Sequence, residues 1–190
     1  MLRLALIALL LVAPLTYAEM NQEELSGILA PRIEGLKFLT KNGMLLEAIR
    51  DQNRRQQSME DIHKIDAEWK AGTSPLIKEL QENKAGNFLK NIIIQQADVY
   101  SEAFLTDNQG ANVAAYPATS DYWQGDEEKF TASFNGGDGK VFIGPVAFDE
   151  SSNTNAVQIS VPMEYNSQTI GVLVIGVKVS VLEAEKLKGK

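Results

Sequence analysis

The apolar residues of this chain change period near Tyr100. Before that point they recur at helical spacing. After Val99 they alternate, as they do along a strand with one buried face. A helical first half and an alternating second half constrain the fold to helices packed on an antiparallel sheet.

In the helical half, Leu25, Ile28, Leu29, Ile33 and Leu36 share one helix face. Asn21 is placed to cap that helix, with Glu24 three residues on to complete a capping box. Pro31 is expected to kink or interrupt it. Gly43 predicts a break, after which Met44–Arg50 resumes. Ser58 predicts the start of a helix through Met59, Ile62 and Trp69. Ser74-Pro75 predicts another start. Asn87 is read as the start of a short helix through Phe88, Leu89, Ile92 and Ile93.

In the alternating half, Tyr100–Thr106 and Asn112–Tyr116 read as strands joined by the turn residues Asp107-Asn108-Gln109-Gly110. Asp126–Phe134 reads as a short helix with an acidic first turn, which suits the positive end of its dipole. Lys140–Phe148, Ala156–Tyr165 and Thr169–Val179 read as three further strands, and Val181–Lys188 as a terminal helix. Ile170–Val179 is apolar at almost every position, so it belongs in the middle of the sheet, covered on both sides. The predicted fold class is α+β: a long N-terminal helical region on a five-stranded antiparallel sheet. The expected division is 1–18, 19–98 and 99–190, with 19–190 forming one domain.

The first eighteen residues read as a secretory leader. Arg3 precedes the unbroken apolar run Leu4–Ala13, Pro14 ends it, and Thr16-Tyr17-Ala18 offers small residues for cleavage after Ala18. The alternative is an uncleaved anchor. The run is short for a membrane span, which needs about 20 residues. Cysteine is absent, which excludes disulfides, thiolate metal sites and thioether-bound haem. Secretion without cysteine fits a bacterial periplasm. Of the 18 Lys and Arg, cleavage removes Arg3, leaving 17 bases against 25 acids and a net charge of −8. Nucleic acid is not expected as a partner. No cofactor is expected either.

Several short segments resemble the extracellular PAS-like sensor fold called Cache, or PDC. Phe104-Leu105-Thr106-Asp107-Asn108-Gln109-Gly110 resembles its "hydrophobic-x-D-x-x-G" strand and turn. Val157–Met163 resembles its "isvPV" strand, and Ile170–Val177 its "iGvl" strand. Gln52-Asn53 and Ile65-Asp66-Ala67-Glu68-Trp69 resemble the "QN" and "lDxxW" segments found ahead of some such domains. The resemblance spans roughly residues 25–180. It implies a periplasmic ligand-sensing domain that works with a membrane-bound kinase, cyclase or chemoreceptor. Lys190 falls a few residues past the last strand, and the expectation is a free-standing secreted Cache protein.

The resemblance places a ligand pocket over the sheet, walled by the segment between strand two and the short helix and by the strand that follows. The expected ligand-binding set is Tyr116, Asp121, Tyr122, Trp123, Asp126, Phe142, Asp149 and Ser151. Tyr122 and Trp123 offer flat apolar faces with polar tips. Many amino-acid-binding members of the double-Cache class carry an Arg two places before the Trp. Asp121 stands there in this chain, which favours an uncharged or cationic ligand over an ordinary α-amino acid. The other reading is that Asp121 caps the turn and Trp123 belongs to the core. Asp126, Glu127 and Glu128 cannot converge on one point from consecutive helical positions, so a dipole role is the economical account. Gln158 and Ser160 share a strand face and either floor the pocket or face solvent.

His63 is the only histidine, in a charged helical stretch, and reads as a surface residue. No nucleophile–base pair, metal cluster or phosphate loop is recognisable, so enzymatic activity is not expected. The competing expectation is an interaction or structural module that forms a homodimer through its N-terminal helices.

Overall fold

A computed structural model describes residues 20–189. The expected leader, residues 1–18, lies outside the described residues. Five helices come first: α1 (Gln22–Leu39), α2 (Gly43–Arg54), α3 (Met59–Lys70), α4 (Leu76–Glu82) and α5 (Lys84–Gln95). Then come β1 (Tyr100–Thr106), β2 (Asn112–Tyr116), α6 (Glu128–Phe134), β3 (Phe142–Asp149), β4 (Thr154–Tyr165), β5 (Gln168–Lys178) and α7 (Val179–Lys188). This is the α+β arrangement that the change of period predicts.

Local chemistry sets the helix starts. Asn21 and Glu24 form the capping box: the Glu24 amide donates to Asn21 Oδ1 at 2.9 Å, and the Asn21 amide to Glu24 Oε2 at 3.3 Å. Asn42 and Ser58 cap α2 and α3 with their side chains. Helix α1 runs on through Pro31, which is exposed. Helix α5 begins three residues before Asn87, because Asn83 caps it by accepting from the Gly86 amide at 2.7 Å. Gly86 allows this close approach. A Cβ there would lie 2.1 Å from the Leu80 carbonyl oxygen.

All five strands are antiparallel, in the order β2-β1-β5-β4-β3. The apolar β5 is central, as its composition requires. One sheet face is covered by the N-terminal helices. Ala103, Leu105, Ile159, Val161, Leu173 and Ile175 point there, into one cluster with Leu29, Leu45, Ile49 and Leu89. Helix α7 is tied across α1. Arg32 donates two bonds to the Glu185 carboxylate at 2.7 and 2.8 Å, and Lys186 reaches Glu24 at 2.9 Å. The Arg32 bonds hold Glu185 below the usual carboxylate range.

The opposite face is covered mainly by α6. Phe130 and Phe134 stack there over Phe104, Val172 and Val174. Among the described residues, no helix is long and apolar enough to cross a membrane.

Candidate functional site

The face under α6 is only partly filled. A cavity of about 320 Å³ remains between the start of α6 and the β3–β4 pair. Phe142, Phe148, Asp149 and Gln158 line it from the sheet, Lys129 from α6, and Ser120 from the loop before α6. Glu127, Glu128 and Glu150 also contribute, so its polar rim is mostly acidic. Lys129, the cation among the lining residues, lies 3.3 Å from Glu127.

Beneath the cavity, side chains cross three strands. Glu102 on β1, Gly176 on β5 and Gln158 on β4 stand side by side in register. Glu102 Oε1 accepts from Gln158 Nε2 at 2.6 Å, across the glycine. A Cβ on Gly176 would come 3.0 Å from Glu102 Cγ and 2.2 Å from Ser101 Oγ. The glycine is therefore what lets the Glu102 side chain lie over the central strand. Glu102 is 2% exposed. Burial, then the nearby charge of Asp149, push its carboxyl above the usual range. Bonds from Gln158 and Ser151 and the charge of Lys129 pull the other way. Ser160 lies two residues along from Gln158 and pairs with Phe142. Its hydroxyl is buried and has no hydrogen-bond partner.

The expected site residues divide into two groups. Phe142 and Asp149 line the cavity. Ser151 stands beside them, its Oγ 2.8 Å from both Asp149 Oδ1 and Glu102 Oε2. The others lie elsewhere. Tyr116 faces the N-terminal helices, with Lys90 Nζ of α5 5.4 Å from its ring centre. A bulge between Leu105 and Thr106 in the β1–β2 register puts it there, because one extra residue reverses which face the following side chains take. Asp126 is exposed just before α6.

Asp121, Tyr122 and Trp123 belong to a strap clamped by α3. Asp66 Oδ1 accepts from the amides of Tyr122 and Trp123 at 2.9 and 3.0 Å. Trp69 Nε1 donates to the Thr119 carbonyl at 2.8 Å. The residues Ile65–Trp69 thus hold the strap at three backbone atoms, since positions 66 and 69 share a helix face. Lys70 completes the clamp, 2.6 Å from Asp66 and 3.8 Å from Asp121. Its bond to Asp66 is the main reason its ammonium is favoured beyond the usual lysine range. Asp121 Oδ1 accepts from Gln124 Nε2 at 2.6 Å.

Tyr122 is buried with Ile62, Trp69 and Leu80, and burial raises its hydroxyl well above the usual tyrosine value. Trp123 donates to the Gln109 carbonyl at 2.8 Å, and its ring stands edge-on to His63 at 4.7 Å. The strap reaches the cavity through Ser120.

Gln52 and Asn53 perform a similar clamping task at the β1–β2 turn. Gln52 Nε2 donates to Asp107 Oδ2 at 3.0 Å and to the Asn112 carbonyl at 3.1 Å. Asn53 takes the Asn108 amide at 3.1 Å and donates to the Ile170 carbonyl at 2.8 Å.

Glu102 and Lys129 were not among the expected residues. Glu102 has a visible sign: it is the one acid in its strand, in phase with Phe104 and Thr106.

No family model matches the chain, and no curated protein matches it. Solved structures do. The chain is similar to the sensor domain of the V. cholerae histidine kinase DctB at 19% identity, covering 86% of this chain and 56% of that one, with a TM-score of 0.45. It is similar to the sensory domain of the Campylobacter jejuni chemoreceptor Tlp3 (CcmL) with isoleucine bound, at 13% identity, 86% and 66% coverage and a TM-score of 0.42. A third similarity is to the ligand-binding domain of the Pseudomonas fluorescens chemoreceptor CtaA in complex with L-serine, at 11% identity, 80% and 62% coverage and a TM-score of 0.39. The chain spans between 56% and 66% of the length of these structures.

Proposed function

We propose that the protein is a non-catalytic module that binds a small polar ligand outside the cytoplasm and reports it to a membrane-bound kinase, cyclase or chemoreceptor. The observation that carries this reading is the cavity over the α6 face. It combines aromatic walls, Phe142 and Phe148, with convergent polar groups, Gln158 and Asp149, which is how a small-ligand site is built. The unpartnered hydroxyl of Ser160 adjoins Phe142 on the same face. The extracytoplasmic placement rests on the leader read in residues 1–18, and the sensing role on the Cache resemblance.

The ligand class follows from the rim. Acids outnumber the single lysine, and that lysine sits beside Glu127. A carboxylate only accepts hydrogen bonds, so the site suits a ligand rich in donors, such as an ammonium or polyol. The aromatic faces favour a cation further. This preference rests on Asp149 and its acidic neighbours, because they line the cavity and Asp121 does not.

A thermal-shift screen of amines, polyols, amino acids and organic acids tests the reading. Saturating ligand stabilises by about 2.7 kcal/mol at a hundredfold excess over Kd. The expected hits are amines or polyols, and Asp149→Asn is expected to weaken them. A flat response across the panel, or hits confined to organic acids, contradicts it.

The second reading is a protein-interaction module that pairs through its N-terminal helices. Phe38 at the end of α1 is 80% exposed beside a hollow of about 690 Å³ between α1 and α5. Sedimentation distinguishes this reading: a clean monomer at all concentrations removes the homodimer.

A further inference from the structure

Ser151 sits in the turn between β3 and β4, with a carboxylate on either side. Its Oγ is 2.8 Å from Glu102 Oε2 and 2.8 Å from Asp149 Oδ1. A hydroxyl carries one proton, so it can donate to only one of them. If both carboxylates are ionised, one of these contacts has no hydrogen in it, and two negative charges face each other across a neutral oxygen.

The surrounding donors say where a further proton belongs. Asp149 has its own turn donors: the Ser151 amide reaches Oδ1 at 3.1 Å, and Ser152 Oγ contacts Oδ2. Glu102 Oε1 is met by Gln158, which leaves Oε2 facing Ser151. Every contact has a hydrogen if Glu102 donates from Oε2 to Ser151, and Ser151 donates to Asp149. Burial of Glu102 favours this neutral form.

We propose that the contacts around Ser151 are completed by a proton held on Glu102, and that this proton fastens the β3–β4 turn to β1, forming a proton-operated clasp at the rim of the cavity. When a base in the solvent removes the proton, Glu102 and Asp149 compete for the Ser151 hydrogen and repel each other. The turn then parts from β1.

The charged groups around Glu102 set the balance. Asp149, at the end of β3, opposes ionisation, and Lys129 on α6 favours it. Strand β4 presents the neutral Gln158, and β5 presents Gly176. Glu127, Glu128 and Glu150 lie farther round the same cavity. With one cation set against this many acids, the clasp closes at lower pH and opens as pH rises.

The clasp needs no ligand, so its test is independent of the binding site. Carbon-13 NMR of glutamate side chains in the protein reads the Glu102 carboxyl directly. Amide exchange at Ser151, corrected for its intrinsic pH dependence, reads the turn. The expected result is a Glu102 titration above the range of the other glutamates. Ser151 protection should fall about tenfold over the same interval, as for the loss of one neutral hydrogen bond.

Glu102→Gln keeps the donor to Ser151 and the acceptor for Gln158. It is expected to hold the turn closed at every pH. Ser151→Ala is expected to leave the turn open throughout. A Glu102 that titrates with the exposed glutamates overturns the proposal. So does Ser151 protection that ignores the Glu102 titration, or that responds to pH equally in Glu102→Gln.

Discussion

The two faces of the sheet are built from the same strands and differ in almost every respect. Toward the N-terminal helices the strands present Ala103, Leu105, Val157, Ile159, Leu173 and Ile175, all apolar and buried. Toward α6 they present Glu102, Thr106, Gln158, Ser160 and Gly176 among a few large apolar side chains. The first face can satisfy itself by packing alone. The second has polar groups that need partners, and a cavity where partners fit. The difference separates what holds the fold from what offers chemistry, and single substitutions test it.

The largest effect is expected on the packed face. Ile159→Ala removes a fully buried side chain from the helix-covered cluster and should cost about 2–5 kcal/mol in chemical denaturation. A smaller loss would mean that this face is loosely filled.

Asp66→Ala comes next. It strips the acceptor from two backbone amides of the strap, the buried one of Tyr122 and the partly buried one of Trp123. The expected cost is about 1–3 kcal/mol. Lost stability with unchanged ligand affinity would show that the strap supports the structure and takes no direct part in binding.

Glu102→Gln sharpens the contrast through pH. Burial raises the folded-state value of Glu102 above its unfolded one, near 4.3. Wild-type stability from this group is therefore fully present below the unfolded value and declines as pH rises through the folded value. The glutamine variant lacks that decline. Denaturation curves for the two proteins should diverge with rising pH, the variant becoming relatively more stable.

The smallest effect is expected from Ser160→Ala. The hydroxyl is buried without a partner. Its removal should change stability by no more than about 0.5 kcal/mol, or raise it slightly.

The two faces also differed in how much the sequence revealed. The helix-covered face was legible, because alternation and helical spacing are local patterns and β5 announces its central place by being apolar throughout. Spacing alone starts α5 at Asn87, whereas the cap is Asn83. A cap depends on which of two nearby asparagines turns back to an amide, and spacing does not choose between them.

The α6 face was harder. The face taken by Tyr116 depends on one bulged residue in the β1–β2 pairing. Asp121 reads as an unpaired acid because its partner Lys70 lies 51 positions earlier and meets it only through the fold of α3. Phe142, Asp149 and Ser151 were legible as turn and strand residues near a pocket. Glu102 owes its position to Gly176, far along the chain, and no local pattern joins the two.

Amide chemical-shift mapping with the strongest stabiliser from the thermal-shift panel locates the ligand on the fold. The expectation is a ligand in the cavity on the α6 face, with shifts concentrated at Ser120, Lys129, Phe142, Asp149 and Gln158. Shifts centred instead on His63, Tyr122 and Trp123, or on the groove between α1 and α5, would contradict it.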